Sequence, residues 1–179
     1  YNGQIWQTVD SGVSWSVIGD FTNTKTWYQI ASSGDFTKFV AAAHPDFLFK
    51  SLDGGATWSG ISSAGQKNWR GICVSADFTQ MAATVLSGNI WNSQDGGTTW
   101  IALSAAGTSN WIQMAASSDL SKIVAARYSG DIYHSIYDGP VDASTLWNKA
   151  GPVTQLALEA ASSTALCPLG RYSTTGDTT

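Results

Sequence analysis

Apolar and polar positions alternate along this chain in short runs, and the runs recur. Residues 69–75 alternate apolar and small side chains over the length of one strand. Asp77-Phe78-Thr79-Gln80 reads as a turn, because an aspartate can bond its own backbone two residues on. Residues 81–85 predict a second strand, Ser87-Gly88-Asn89 a tight turn, and 90–93 a third strand. A Gly-rich hairpin follows at 94–98, and a fourth strand at 99–103. Helical periodicity is absent, and the one helix-tolerant stretch is 156–161.

The same order of elements repeats at a fixed spacing, the signature of stacked units. Trp15, Trp58 and Trp100 are 43 and 42 residues apart, and Trp27, Trp69 and Trp111 are 42 and 42 apart. Asp35, Asp77 and Asp119 keep the same register. Four short antiparallel strands per unit is the plan of a propeller blade. The expected fold is therefore all-β: a β-propeller, or a segment of one, over residues 1–166, with a separate tail at 167–179. Residues 1–18 supply only the third and fourth strands of a blade, whereas 27–62, 69–104 and 111–149 supply whole blades. Val153-Thr154-Gln155-Leu156-Ala157 repeats residues 111–115 at the same spacing, and 164–167 offers a further strand. Those two strands could close a ring of four blades with the N-terminal pair. Alternatively the chain, which starts at Tyr1 without Met, is a mature product or a stretch of a longer array.

One hairpin motif carries a family resemblance. Ser51-Leu52-Asp53-Gly54-Gly55-Ala56-Thr57-Trp58 and Ser93-Gln94-Asp95-Gly96-Gly97-Thr98-Thr99-Trp100 resemble the Asp box, S-x-D-x-G-x-T-W, of BNR-repeat propellers. Thr8-Val9-Asp10-Ser11-Gly12-Val13-Ser14-Trp15 is a close third copy. A fourth, Ser135-Ile136-Tyr137-Asp138-Gly139, has its Asp displaced by one residue and its Trp delayed to Trp147. A turn and an aromatic strand precede each box, and the second copy departs by having Asp46 where the others have Gly. The expected chemistry is local: Asp10, Asp53 and Asp95 accept backbone N–H groups across the hairpin. Gly12, Gly55 and Gly97 take positive φ, and Trp15, Trp58 and Trp100 cover the loop. One carboxylate per loop is far short of the six or more oxygens that Ca²⁺ wants. Sialidases, sortilin-type receptors, cellulose-active propellers and luminal photosystem II assembly factors carry such boxes. The resemblance implies that they sit on the outer edge and do not define activity.

Catalytic constellations find little support. The chain has three arginines, Arg70, Arg127 and Arg171, but Arg70 and Arg127 occupy different phases of the repeat. The sialidase entry motif Arg-Ile-Pro is absent, and the only Glu is Glu159. Glycoside hydrolysis needs two carboxyls roughly 5–10 Å apart, and nearly every Asp here stands at a turn of the repeat. His44 and His134 recur with no second ligand type, so no metal site is expected, and neither a nucleophile elbow nor a phosphate loop occurs. Arg70 stands where the sister repeats have Tyr28 and Ile112, which makes it a candidate contact residue, with Arg127 the second. The periodic tryptophans read as packing between blades rather than as sugar platforms.

Composition narrows the setting. Charged residues are 12% and hydrophobic residues 43% of the 179, so the sheets must bury most of both faces. Net charge is −4 and the nine Lys and Arg are scattered with no basic run, so no nucleic-acid partner is expected. No apolar run approaches the roughly 18 residues of a spanning helix. Cys73 falls where the sister repeats have Ala31 and Ala115 and reads as a small buried thiol. Cys167-Pro168-Leu169-Gly170-Arg171-Tyr172-Ser173-Thr174-Thr175-Gly176 resembles the opening of an ephrin-receptor-type Cys-rich module. The resemblance implies a neighbouring extracellular domain; the other reading is a degenerate fifth repeat. The expectation is a non-catalytic, cofactor-free structural or protein-interaction module, secreted or extracellular, partnered by other protein chains or by flanking segments of its parent. Two alternatives stand beside it: a carbohydrate-binding or sialidase-like glycosidase propeller, and an organelle-lumen assembly factor.

Overall fold

Short strands joined by Asp- and Gly-rich turns satisfy most of their backbone groups by pairing each strand with the next. The computed structural model describes residues 2–19, 21, 25–128, 130–135 and 147–149. These lie in the first of two units, Tyr1–Lys149 and Ala150–Thr179. The expected strands at 153–157 and 164–167, the stretch 156–161 and the tail at 167–179 fall outside the described residues.

The strands are β1 (Asn2–Gly3), β2 (Ile5–Gln7), β3 (Ser16–Ile18), β4 (Lys25–Ser32), β5 (Phe39–His44), β6 (Leu48–Ser51) and β7 (Ser59–Gly60). They continue as β8 (Trp69–Val74), β9 (Met81–Val85), β10 (Ile90–Ser93), β11 (Ile101–Ala102), β12 (Trp111–Ala116), β13 (Ile123–Arg127), β14 (Ile132–Ser135) and β15 (Trp147–Lys149). The sheets are antiparallel, in the orders β1-β4-β5-β6-β7, β8-β9-β10-β11, β12-β13-β14-β15 and β2-β3. The 42-residue spacing thus repeats as three four-stranded units and a leading strand pair.

Two details differ from expectation. The fourth strand is shorter, at Ile101–Ala102 instead of 99–103. Thr99 gives both its N–H and its hydroxyl to Asp95, at 2.8 and 2.6 Å, so it serves the hairpin instead of the ladder. Past the fourth strand the chain makes one 3₁₀ turn, Ser62–Ala64 and again Ser104–Ala106. These turns receive the first-strand tryptophans: Trp69 Nε1 donates to Gly65 O at 3.2 Å and Trp111 Nε1 to Gly107 O at 3.3 Å.

The core lies between sheets. Residues 39–43 and 81–85, the second strands of two units, are buried throughout, because neighbouring sheets cover both of their faces. Ala41, Ala42, Ala43, Ala82 and Ala83 keep these strands thin enough for that. Trp69 and Trp111 are fully buried. Each contributes roughly 4–6 kcal/mol of apolar burial before the cost of ordering it. In the last described unit the alternation reappears: Val124 is 43% exposed while Ile123 and Ala125 are buried.

Backbone staples tie each unit to the next. Gly3 pairs with Lys25, Asp46 with Lys67, and Gly88 with Ser109, all at one phase of the repeat. At the other end Gly34 N–H donates to Ala76 O at 2.8 Å, and Ala76 N–H to Ser118 O at 2.7 Å. Asp46, the departure from the Gly pattern, forms an ion pair with Lys25 at 2.7 Å.

Candidate functional site

A bulge in each first strand builds the site. The β4–β5 ladder shifts between Trp27 and Gln29, the β8–β9 ladder between Trp69 and Ile72, and the β12–β13 ladder between Trp111 and Gln113. An extra residue leaves the ladder and re-aims its side chain. Tyr28, Arg70 and Ile112 follow the three tryptophans at these shifts, and they line one common cavity. Leu86, Ser87, Asn110, Gln113 and Tyr128 complete its wall around about 580 Å³. That volume falls in the range of small-molecule pockets, about 300–1,000 Å³.

Three units are held close enough to share this wall. Gln29 spans them: its Oε1 accepts Ile72 N–H at 3.2 Å while its Nε2 donates to Met114 O at 3.4 Å. A side chain at Gly71 would meet Thr84 Oγ1 at 2.8 Å and Met114 Cγ at 3.1 Å, so the strand needs glycine there. Thr84 Oγ1 accepts the Gly71 N–H at 2.7 Å and fills the gap in the ladder.

Arg70 is the charged group of the lining. Its Cζ lies 3.7 Å from the centroid of the Tyr28 ring. Tyr28 in turn meets His44 edge-on at 5.8 Å. Desolvation draws the Arg70 pKa below its ordinary value, but a guanidinium remains cationic in any protein setting. Ser87 Oγ donates to Asn110 Oδ1 at 2.8 Å, which leaves the Asn110 amide nitrogen as the free donor of that side chain. Tyr128 is 68% exposed at the rim.

Six of the eight described aspartates are kept at the opposite ends of the strands. In each unit the first turn (Asp35, Asp77, Asp119) and the hairpin after the third strand (Asp53, Asp95) follow strands that run away from the pocket. A six-residue strand separates the two ends by about 20 Å. Each of these aspartates is consumed by its own loop. Asp53 accepts Ser51 Oγ at 2.8 Å, Thr57 N–H at 2.9 Å and Thr57 Oγ1 at 2.6 Å. Asp95 repeats this with Ser93 and Thr99, and Asp10 with Thr8 and Ser14. Asp35, Asp77 and Asp119 accept from Ser33 and Thr37, Ser75 and Thr79, and Ser117 and Ser121. These hydrogen bonds, the side-chain hydroxyl first, hold Asp10, Asp53, Asp95, Asp35, Asp77 and Asp119 at a pKa of about 2.

Gly12, Gly55 and Gly97 have φ of +91°, +91° and +87°. Trp58 and Trp100 donate Nε1–H to Gly55 O at 3.0 Å and Gly97 O at 3.2 Å. Trp15 is 58% exposed. Of the fourth copy, Ser135 accepts Ile123 N–H at 2.9 Å; Asp138 and Gly139 lie outside the described residues.

The two candidate contact arginines part company. Arg70 faces the pocket, whereas Arg127 is used inside its own unit. Arg127 Nη2 donates to Tyr133 Oη at 2.7 Å and lies 3.4 Å from Asp131, and its Cζ sits 4.6 Å from the Tyr133 ring centroid. The repeat supplies the reason. Lys25 and Lys67 stand at one phase and cover the third-strand aromatics Phe49 and Trp91, each at 4.5 Å. Ser109 replaces the lysine in the next unit, and Arg127 reaches Ser109 Oγ at 3.4 Å and takes over the cation's place above Tyr133. Cys73 is a free thiol whose Sγ points at Met114 O, and burial raises its pKa to about 11. Among the described residues no group of three or more His, Cys, Asp or Glu could hold a metal ion. No described helix is long and apolar enough to cross a membrane.

Among the wall residues, sequence reasoning singled out Arg70 alone. The signal for the others was variability at fixed phase: Tyr28, Arg70 and Ile112 follow a constant Trp, and His44, Leu86 and Tyr128 share another position.

No family profile matches the sequence, and no curated protein matches it. Solved structures do match in shape. An ancestral GH74 enzyme superposes with a TM-score of 0.62 at 15% identity, over 83% of this chain and 21% of its own. The GH74 xyloglucanase of Xanthomonas campestris gives 0.60 at 18% identity, over 77% and 25%. YCF48 bound to a D1 peptide gives 0.60 at 17% identity, over 82% and 47%. The fold is a β-propeller segment. The chain spans a quarter or less of the two GH74 enzymes and about half of YCF48. The four-stranded sheets are its blades, and the Arg70 pocket lies where the first strands of three blades converge.

Proposed function

We propose that this propeller segment is a non-catalytic protein-interaction module, and that the pocket around Arg70 receives part of its partner. The observation that carries this reading is the composition of the wall. It combines apolar surface from Leu86, Ile112 and Tyr128 with one cation and neutral amides, and no described carboxylate lines it. Acid–base cleavage of a glycoside requires a pair of carboxyls about the substrate, and the turn aspartates stand at the far strand ends with their lone pairs engaged. The hairpins at 8–15, 51–58 and 93–100 fit the Asp-box repeat in both sequence and hydrogen bonding, and on this reading they lock the outer ends of the blades. YCF48, one of the fold neighbours, was solved with a peptide bound, which favours a peptide partner here. A secreted or luminal setting suits a chain with so few surface charges.

The test has two arms. Purified protein incubated with xyloglucan, β-glucosides and sialosides releases no reducing sugar or sialic acid. On an array of short peptides, binding depends on the pocket: Ile112→Asp and Tyr128→Ala remove it while melting stays unchanged. Hydrolysis of a polysaccharide that is lost in either variant overturns the proposal. So does peptide binding that ignores both variants.

A further inference from the structure

We infer that the pocket is selective for a carboxylate attached to an apolar or aromatic group of side-chain size, with Arg70 as the residue that reads the charge. The inference rests on the interaction reading above and adds the chemistry of the ligand.

The guanidinium is placed but unspent. Its flat face lies on Tyr28 at 3.7 Å, and no described residue accepts a hydrogen bond from it. Arg127 supplies the contrast, with Tyr133, Asp131 and Ser109 as partners. Arg70 Nε is buried without a hydrogen-bond partner, and a guanidinium held by stacking can still present its Nη N–H groups in plane to the two oxygens of a carboxylate. The Tyr28 ring also restricts the rotamers that binding would otherwise have to freeze, so less entropy is lost on complex formation. Tyr28 is thus a positioning residue for Arg70.

The rest of the wall decides what accompanies the charge. Asn110 adds an amide N–H₂ whose oxygen is already engaged by Ser87, so the polar side of the pocket is rich in donors. An anion is favoured over a cation or a neutral acceptor-poor group. Leu86, Ile112 and Tyr128 form the apolar side and suit a phenyl or branched alkyl group beside the carboxylate. The nearest described acids at this end, Asp46 and Asp131, are engaged by Lys25 and Arg127. The other described acids, Asp10, Asp35, Asp53, Asp77, Asp95 and Asp119, stand at the far strand ends, so no unpaired carboxylate among the described residues opposes Arg70 at this end. Such a carboxylate has two sources, the C-terminus of a peptide or a free small acid.

The experiment uses 3-phenylpropionate and 3-phenylpropionamide as one pair of probes, and the peptide Gly-Gly-Ser-Gly-Phe as free acid and as C-terminal amide as the other. Binding to the full chain is followed by calorimetry and by the Arg70 Nε–H resonance. The acids bind and move that resonance; the amides bind at least about tenfold more weakly, as the loss of a hydrogen bond to a charged group requires. Arg70→Gln abolishes the distinction between acid and amide, Arg70→Lys restores part of it, and Lys122→Gln leaves it unchanged. Tighter binding of the peptide acid assigns the site to a chain terminus, and tighter binding of 3-phenylpropionate assigns it to a free acid. Acid and amide that bind equally, with Ile112→Asp removing both, overturn the carboxylate inference and leave the interaction reading intact. Acids that bind without moving the Arg70 resonance, or that bind Arg70→Gln as well as the parent, overturn it too. Failure of all four probes to bind overturns it as well, and the peptide array then judges the interaction reading separately.

Discussion

Replacing Gly55 by alanine separates two costs that the repeat otherwise confounds. All three hairpin glycines sit near φ +90°, where an L-residue pays about 1–3 kcal/mol of backbone strain. Stiffening the unfolded chain returns about 0.4–1 kcal/mol of that. The surroundings differ between copies. A Cβ at Gly12 meets nothing within 4 Å, and one at Gly97 meets Ile61 Cδ1 at 3.4 Å, ordinary contact. At Gly55 it would lie 2.7 Å from Ile18 Cδ1, with Ile18 Cβ and Cγ1 both at 3.4 Å behind it. Overpacking of that kind adds about 1–3 kcal/mol. The expected losses are therefore about 1–2 kcal/mol for Gly97→Ala and about 2–5 kcal/mol for Gly55→Ala. Urea unfolding followed by tryptophan fluorescence measures both. Ile18→Ala in the Gly55→Ala background should recover part of the excess, because the two sites couple through one contact. If Gly55→Ala falls within about 0.5 kcal/mol of Gly97→Ala, the limit of additivity, the contact between β3 and this hairpin is misassigned. If Gly97→Ala is neutral, the positive φ is.

Acid unfolding gives a second check. The turn aspartates have folded pKa values lowered from 3.8 to about 2, so folding favours their ionised form. The stability this adds is present above about pH 4 and is lost as pH falls through 2; stability that stays flat over that window contradicts the hydrogen-bonded turns. Arg127→Gln should cost about 1–2 kcal/mol, from the lost cation–π contact and the Tyr133 hydrogen bond. The same variant should leave binding at the Arg70 pocket unchanged by calorimetry, and weakened binding would place Arg127 in the site. Gln29→Ala leaves the Ile72 N–H without its acceptor and should cost about 1–3 kcal/mol. Faster hydrogen exchange at Ile72 is the specific readout, and unchanged exchange there refutes the bridge.

Strand order, turn positions and the acidic hairpins were legible from residues alone because each is a local event. Ser51, Asp53, Gly55, Thr57 and Trp58 close their loop with bonds that span at most four residues, so the motif carries its own geometry wherever it stands. The 42-residue period likewise needs only a sheet that must be covered on both faces. The shortened fourth strand escaped notice because Thr99 had two uses, ladder or hairpin, and the Asp95 carboxylate won it.

The pocket and the fates of the two arginines belonged to the tertiary structure. Tyr28, Arg70 and Ile112 are remote in sequence and become neighbours only when three blades stack and their bulges aim one way. Arg70 and Arg127 look equivalent as isolated cations. What separates them is Ser109, which leaves Tyr133 without the lysine that its sister aromatics have and draws Arg127 into the blade, while Arg70 lies against Tyr28 with no described hydrogen-bond acceptor. A local pattern specifies its own loop, but the charge available to a ligand depends on which distant groups have already used it.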